Sequence, residues 1–187
     1  DPKAIAKLAK ERGFPAIAIA DRNGLYAAMS FAGAARDAGI QPVIGTLLGI
    51  RRGGGETIDW LPLYVQNETG WNNLCHLVSR AHLDRPLELE PHVTFADLDG
   101  HSDGLICLTG AGEGALVRLF ADGKGDAARD YCSKLEALFP GRLYIEIARR
   151  DDVAEEAAEE LLIDAEARVL GVMGSDGRAI NREKGGG

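Results

Sequence analysis

The sequence predicts an α/β fold in which helices alternate with the strands of a mainly parallel sheet. Two observations indicate it: short apolar runs without helical periodicity, and helical segments between them that are joined by short connections. This pattern fits either an open doubly wound sheet or a barrel of βα units. In both arrangements the loops at the carboxyl ends of the strands converge on one face, so residues there are the candidates for chemistry.

The first helix and strand define the repeating unit. Asp1 is placed to cap a helix that has Pro2 at its first position and that Gly13 closes. The apolar positions expected to form its buried stripe are Ile5, Leu8 and Ala9. The run 16–20 suits a strand buried on both faces, followed by a loop at residues 21–24.

The same alternation continues along the chain. Further helices are predicted at residues 25–38, 67–82, 95–98, 115–120, 126–139 and 153–169. Further strands are predicted at residues 42–48, 60–65, 104–109, 143–147 and 170–173. Strands and helices in this order argue for one domain built of βα units.

Composition narrows the class of protein. The 187 residues carry 21 Lys and Arg against 29 Asp and Glu, a net charge of -8, with 45% hydrophobic residues, which is typical of an acidic globular domain. No apolar run approaches the ~18 residues of a membrane helix, and no secretory leader opens the chain, so we expect a cytoplasmic protein that does not bind membranes. An acidic surface also disfavours direct binding of nucleic acid.

The cysteines and histidines give no sign of a metal site. Three widely spaced cysteines form no C-x-x-C pair and are best interpreted as small buried thiols: Cys75, Cys107 and Cys132. The histidines lie away from the strand ends and are interpreted as surface or helix-packing residues: His76, His82, His92 and His101. Asp21 is the one carboxylate placed as a ligand would be, although a single Asp after a strand is also an ordinary helix cap.

A glycine-rich stretch, residues 110–114, follows a strand and opens a helix, where amide groups can bind an anion. Its spacing matches neither the dinucleotide fingerprint nor the P-loop, and Glu113 would oppose a phosphate. We therefore expect a tight turn that needs glycine dihedrals. No serine occupies a nucleophile elbow, so nucleophilic catalysis has no support.

Five segments agree in order and spacing with a known family: AIAIADRNGLY (16–26), AGIQPVIG (38–45), NETGWNNL (67–74), GLICLTG (104–110) and FPGRLYIE (139–146). They resemble the PHP (polymerase and histidinol phosphatase) domain of the bacterial replicative DNA polymerase III alpha subunit. The resemblance spans most of residues 2–147. It implies a PHP-type distorted (βα)7 barrel, with residues 1–180 as a partial PHP domain and 181–187 as a disordered or added tail.

The family's first strand, which carries paired histidines, would precede Asp1, so the resemblance implies a barrel that lacks this strand and some of its last elements. An incomplete barrel would expose sheet edges, and edge pairing between copies becomes a possibility.

Metal-competent members of the family hold ions at the strand ends, and this chain departs from that pattern. The corresponding positions form a degenerate pocket: Asp21, Arg22, Leu47, Leu61, Ala111, Arg150, Asp176 and Arg178. We expect no catalytic residue and no metal ligand among them, and no useful affinity for Zn²⁺ or Mn²⁺.

An unpaired, desolvated carboxylate costs several kcal/mol in effect, so Asp21 needs a cationic partner in a pocket without metal. The hypothesis is that one arginine of the pocket occupies the vacated metal position and pairs with Asp21; the candidates are Arg22, Arg150 and Arg178.

The resemblance implies a non-catalytic PHP domain that acts as a structural and partner-docking module in DNA replication. The parent would be a DNA-directed DNA polymerase, a nucleotidyltransferase, whose Mg²⁺ is held in a polymerase domain beyond this chain. The expected partners are the remainder of the alpha subunit and the proofreading exonuclease subunit, with DNA reached through the parent.

Two other functions stay open. One is a metal-dependent PHP-type phosphoesterase, for proofreading or pyrophosphate hydrolysis, that uses Asp21 and Asp176. The other is an unrelated βα domain that binds a small metabolite in a closed apolar pocket.

Overall fold

The computed structural model describes residues 1–53, 57–147, 172–174 and 179–180. The helices in these ranges are α1 (Pro2–Glu11), α2 (Ala28–Ala38), α3 (Glu68–Leu83), α4 (Phe95–Leu98), α5 (Ala115–Ala121) and α6 (Gly125–Leu138). The strands are β1 (Ala16–Arg22), β2 (Gln41–Arg51), β3 (Ile58–Val65), β4 (Leu105–Leu108), β5 (Leu143–Ile147), β6 (Val172–Gly174) and β7 (Ala179–Ile180). The predicted mixed α/β class is confirmed.

The chain divides into two compact units, and each is described separately. The first unit comprises Asp1–Ile58 and Pro62–Leu105, and the second comprises Asp59–Leu61 and Ile106–Gly187. Strand β3 therefore contributes residues to both units.

In the first unit, β1 and β2 run parallel. Their register starts with Ala16 beside Gln41 and ends with Arg22 beside Leu47, and β3 follows β2 in the strand order. Helices α1 and α2 cover these strands through a small-residue core of Ala6, Ala9, Ala34, Ala35 and Ile40. Because the core side chains are small, the two helices approach each other and the strands closely.

Helix α1 begins as predicted, since the Asp1 carboxylate accepts a hydrogen bond from the Lys3 amide at 3.0 Å. Its buried face differs from the prediction. Ala6 and Ala9 are buried, whereas Ile5 and Leu8 remain 46% and 50% exposed. The apolar periodicity identified the helix, but Ile5 and Leu8 flank its buried line of alanines.

Helix α3 begins at the predicted cap, where the Asn67 side chain accepts from the Gly70 amide at 3.0 Å. Its first turn lies against the chain at Gly104. A Cβ on Gly70 would stand 1.9 Å from the Gly104 carbonyl oxygen, so only glycine fits there.

In the second unit, β4, β5 and β6 are joined by parallel pairs, and β7 pairs antiparallel with β6. Helices α5 and α6 supply buried side chains to its core, among them Leu116 and Leu135, together with Cys107 of β4 and Ile145 of β5. The antiparallel end strand, β7, was not predicted from the sequence.

Several predicted boundaries were wrong. Strand β1 extends through Asp21 and Arg22, which the sequence placed in a loop, and β2 continues to Arg51, so Leu47 lies inside a strand rather than at its end. Helix α2 begins at Ala28 instead of residue 25, after a turn. Strand β1 is longer than predicted because its backbone pairing with β2 continues beyond the apolar run, to Arg22 beside Leu47.

Strand β1 is not buried on both faces, since Ala18 is exposed and its other residues are at best half-buried. Among the described strands no pair closes a barrel. The predicted helix at residues 153–169 lies outside the described residues.

The three cysteines lie on the predicted elements, but Cys75 in α3 is only partly buried, whereas the sequence predicted a buried thiol. Cys107 in β4 and Cys132 in α6 are buried, and burial raises the pKa of both thiols. Within the described ranges, none of the helices combines the length and the apolar content needed to cross a membrane.

Candidate functional site

The candidate site begins where β1 ends. The Asp21 carboxylate accepts a hydrogen bond from the Ala27 amide at 2.9 Å, which fixes the turn before α2. The Thr46 hydroxyl donates to the Asp21 backbone oxygen at 2.8 Å and accepts from the Gly24 amide at 3.2 Å. Asp21 is thus held on both its side chain and its backbone, and its carboxylate serves as a local cap.

Asn23 holds the loop that follows Asp21. It is buried and has a left-handed φ of 46°, a conformation that non-glycine residues rarely adopt. Its side-chain oxygen accepts from the Gly49 amide at 2.8 Å, and its side-chain amide donates to the Pro91 carbonyl at 2.6 Å. Its backbone amide donates to the Leu47 oxygen at 2.9 Å. These bonds compensate the backbone strain.

The loop also contacts α3. Nε2 of His82 lies 2.7 Å from the backbone oxygen of Asn23, and because a carbonyl only accepts, this nitrogen carries the proton. His82 was interpreted as a surface or helix-packing residue, and its hydrogen bond connects α3 to the strand-end loop.

Gly49 allows this close packing. A Cβ there would lie 2.6 Å from the Pro91 backbone oxygen and 3.3 Å from Nδ2 of the Asn23 side chain. Any larger residue would displace the side chain that holds the loop.

The neighbours of Asp21 in the predicted pocket differ in chemistry. The register places Arg22 beside Leu47, so both lie next to Asp21 at this end of the β1–β2 pair. Arg22 is exposed and Leu47 is half-buried. A guanidinium has no lone pair to offer a metal, and an aliphatic side chain offers none either.

Two further pocket residues belong to the second unit. Leu61 is 1% exposed in β3, and Ala111 is buried with a left-handed φ of 43°. Ala111 belongs to the glycine-rich turn. Its neighbour Gly110 has a φ of 84°, and a Cβ on Gly110 would lie 2.3 Å from the Trp60 oxygen. The turn therefore requires glycine, as predicted.

A buried threonine also closes the end of β4. The Thr109 hydroxyl accepts from the Glu146 amide at 3.0 Å, and the Thr109 amide donates to the Tyr144 oxygen at 3.1 Å. This contact joins the ends of β4 and β5.

The remaining pocket residues, Arg150, Asp176 and Arg178, lie outside the described residues. In the described part of the chain, the hydrogen-bond partner of the Asp21 carboxylate is the Ala27 amide. The pairing of Asp21 with an arginine therefore stays a prediction. Among the described residues, no group of three or more His, Cys, Asp or Glu side chains could hold a metal ion.

Sequence reasoning selected Asp21 but missed Thr46, Asn23 and Thr109. Residues 21–24 were predicted as a loop, and the Asn23-Gly24 pair within it is a turn signal that could have suggested a left-handed asparagine. Neither threonine has a local signal, because its partner lies on another strand.

The fold and this strand-end arrangement define a class of protein: a mixed α/β domain with mainly parallel strands whose first strand delivers an aspartate to a tightly bonded loop. The chain belongs to the PHP domain family, whose model matches residues 1–150. The predicted resemblance is confirmed.

Known relatives place the chain more closely. It is 40% identical over 168 residues to the DNA polymerase III subunit alpha of Caulobacter vibrioides. The matched region covers 86% of this chain and 14% of the relative. It is also 31% identical over 167 residues to the error-prone DNA polymerase of Symbiobacterium thermophilum. This matched region covers 81% of this chain and 15% of the relative. The chain thus spans about one-seventh of the length of these relatives.

A solved structure supports the fold. The chain is similar to a Bifidobacterium adolescentis protein proposed to be a metal-dependent phosphoesterase, with a TM-score of 0.54 and 14% identity. The similarity covers 99% of this chain and 84% of that one. At this identity the similarity shows a shared fold alone.

Proposed function

We propose that this chain is the PHP domain of a DNA polymerase III alpha subunit and that it acts as a non-catalytic structural and partner-docking module in DNA replication. The observation that carries the proposal is the 40% identity to a DNA polymerase III subunit alpha over 86% of the chain. The activity of the parent, DNA-directed nucleotidyl transfer, belongs to the parts of the relatives that this chain does not span.

The chemistry at the end of β1 supports the non-catalytic part of the proposal. The Asp21 carboxylate already accepts a hydrogen bond from the Ala27 amide, and the neighbouring Arg22 and Leu47 side chains provide no metal ligand. Metal-assisted hydrolysis needs ions held by several oxygen or nitrogen donors and a water positioned for attack. An aspartate used as a backbone cap beside an arginine is suited to holding a loop.

The finer features of the proposal follow from the family. The domain forms a PHP-type distorted (βα)7 barrel and acts in the cytoplasm. It contacts the remainder of the alpha subunit and the proofreading exonuclease subunit, and it reaches DNA through the parent polypeptide, whose polymerase domain holds Mg²⁺. Its own barrel uses no cofactor.

The first experiment tests catalysis. The purified chain is titrated with Mn²⁺ and Zn²⁺ by calorimetry and assayed for hydrolysis of bis-p-nitrophenyl phosphate and pyrophosphate, with Asp21→Asn as the matched variant. We expect no saturable metal uptake and equal background rates for both proteins. Stoichiometric uptake and turnover that Asp21→Asn abolishes would show that the chain is a metal-dependent phosphoesterase.

The second experiment tests docking. The chain is immobilised, and the purified exonuclease subunit and the remainder of the alpha subunit are passed over it separately in a surface-binding measurement. We expect saturable binding of at least one of them. No binding of either at micromolar concentrations would remove the docking role, whatever the outcome of the metal titration.

The alternative, a PHP-type phosphoesterase, retains Asp21 as its supporting observation. In that function Asp21 and Asp176 would act as metal ligands for proofreading or pyrophosphate hydrolysis. The Asp21 carboxylate that an ion would need accepts a hydrogen bond from the Ala27 amide. This alternative therefore predicts that metal binding weakens that hydrogen bond and shifts the NMR resonance of the Ala27 amide.

A further inference from the structure

The loop between α3 and α4, residues 84–91, is closed at its base. The His92 amide donates to the Ala81 oxygen at 3.3 Å, so the two ends of the loop meet beside the last turn of α3. The Asn23 side-chain amide donates to the Pro91 oxygen at 2.6 Å, and this bond attaches the 84–91 loop to the strand-end loop. Surface loops whose ends meet in this way hold a compact shape and frequently carry function.

An arginine side chain fills the inside of the 84–91 loop. Nη1 of Arg85 donates to the Pro86 oxygen at 3.0 Å and to the Leu87 oxygen at 3.2 Å. It also donates to the Leu89 oxygen, and Nε of the same side chain is fully buried. A guanidinium has five donors and no acceptor, so it can hold several backbone oxygens at once. The positive charge of the loop is therefore turned inward, where it fixes the backbone.

The tip of the loop presents one apolar and one acidic side chain. The Leu89 amide donates to the Pro86 oxygen at 3.1 Å, which is the hydrogen bond of a β-turn. Leu87 and Glu88 occupy the two corner positions of that turn. Leu87 is 87% exposed, and Leu83, at the base of the loop, is 78% exposed. A leucine that an ordered turn holds in the solvent loses little conformational freedom when it binds, so it is suited to anchor a partner.

The charged side chains that the loop exposes are acidic: Asp84, Glu88 and Glu90. Nε of Arg80 lies 3.6 Å from the Asp84 carboxylate but 2.6 Å from that of Asp97, so it offsets only part of this charge. Because Arg85 is bonded to the backbone, the outward surface of the loop combines leucines with negative charge. Such a surface attracts a basic partner and repels an acidic one.

We propose that the 84–91 loop docks on a protein surface that offers an apolar pocket edged by lysine or arginine. Leu87 enters the pocket, Leu83 extends the apolar contact, and Glu88 and Glu90 pair with the cations around it. This inference rests on the proposed docking function, and it adds the surface that docks and the chemistry of the partner.

Charge complementarity selects this partner. Nucleic acid is disfavoured because its phosphates would face Glu88 and Glu90. A second copy of the chain is disfavoured because each copy carries a net charge of -8. A basic protein surface meets neither obstacle, and the leucines give it an apolar contact that charge alone would not provide.

The test repeats the surface-binding measurement with the exonuclease subunit and the remainder of the alpha subunit as separate probes. Leu87→Asp places a charge where the pocket would be. Glu88→Gln combined with Glu90→Gln removes two charges and keeps the side chains nearly the same size. Met29→Asp, at an apolar side chain that is 82% exposed on α2, is the matched control. Each titration runs from about 50 mM to about 300 mM NaCl, since salt screens exposed charges.

For a probe that binds the wild type, we expect Leu87→Asp to raise the Kd about tenfold or more and Met29→Asp to leave it unchanged. The double glutamine variant should raise the Kd about threefold at low salt and flatten its salt dependence. Circular dichroism checks that every variant folds.

A Kd that Leu87→Asp leaves unchanged would overturn this inference while the docking function stands. If neither probe binds the wild type, the docking function fails and this inference fails with it. Light scattering follows the chain alone, and self-association that Leu87→Asp abolishes would assign the loop to a second copy and overturn the choice of partner.

Amide exchange tests the shape of the loop. Arg85 is a positioning residue, since it acts through the backbone that carries Leu87. The Leu89 amide should exchange slowly in the wild type and quickly in Arg85→Met, and the Kd of Arg85→Met should rise about threefold or more because the loop is no longer held in its docking shape. A Leu89 amide that exchanges in the wild type as fast as in an unfolded chain would overturn the proposal.

Discussion

Nε2 of His82 on α3 donates a 2.7 Å hydrogen bond to the backbone oxygen of Asn23, the buried residue that follows β1. This contact joins residues 59 positions apart and completes the set of bonds that hold the strand-end loop. The loop is therefore bonded to both β2 and α3 within the first unit. Its asparagine provides the first prediction.

Replacing Asn23 by alanine should lower the free energy of unfolding by about 3 kcal/mol. The change leaves the buried Gly49 amide without its acceptor and keeps a left-handed φ that alanine tolerates poorly. Asn23→Gly also loses the side-chain hydrogen bonds but relieves the strain of the left-handed φ, so it should be about 1 kcal/mol more stable than Asn23→Ala. Urea denaturation measures both variants, and an Asn23→Ala variant as stable as the wild type would contradict the role of these bonds.

Two glycine substitutions should have opposite signs. Gly70→Ala places a Cβ 1.9 Å from the Gly104 oxygen, so α3 must shift and we expect a loss above about 2 kcal/mol. Gly33→Ala, inside α2, meets nothing within 4 Å and should gain about 0.5–1 kcal/mol through helix propensity. Thermal unfolding compares them directly. Equal effects of the two variants would rule out the contact at Gly104 as the cause.

A partly buried ion pair in the second unit gives a third prediction. Nη1 of Arg118 on α5 lies 3.0 Å from Oδ1 of Asp59, whose side chain is 1% exposed. Arg118→Met leaves this carboxylate without that partner and should cost about 2–4 kcal/mol, less than a fully buried pair because Arg118 is 37% exposed.

The double variant Asp59→Asn with Arg118→Met should recover part of the loss, since it removes the buried charge as well. Chemical denaturation of the three variants completes the cycle. Strictly additive losses would show that the two side chains do not interact.

Asp97 provides a pH-dependent prediction. Burial alone raises the pKa of its carboxyl, but hydrogen bonds from the Thr94 amide and hydroxyl, together with the charge of Arg80 at 2.6 Å, lower it overall. The unfolded chain therefore takes up this proton at a higher pH than the folded chain. The stabilisation is complete above about pH 5 and is lost as the pH falls through the ordinary aspartate value of about 4 toward the lower folded value.

Asp97→Asn should cost about 1 kcal/mol at pH 7, and this difference from the wild type should shrink as the solution is acidified toward pH 3. Denaturation midpoints measured from pH 3 to pH 7 show the trend. Asp84→Asn, on the other carboxylate near Arg80, is exposed and serves as the control. A constant difference across this range would contradict the assigned protonation change.

Particular elements show how much of the fold could be predicted from the sequence alone. Capping residues predicted the starts of α1 and α3, and Gly39 predicted the end of α2, because these signals act within one turn of the helix. The end of β1 was missed because its register with β2 sets it. Asp21 lies inside β1 near its end and not in the predicted loop, and its partner, the Ala27 amide, became visible only through the turn before α2.

The sequence by itself determined the α/β class, the family, most of the helices and the candidate aspartate, since each depends on local periodicity or on residue types at fixed spacing. Only the tertiary structure decided that Ile5 and Leu8 are exposed and that Thr46, Asn23 and His82 hold the strand-end loop. These features depend on which distant segments meet, and burial and hydrogen bonding are properties of both members of a contact.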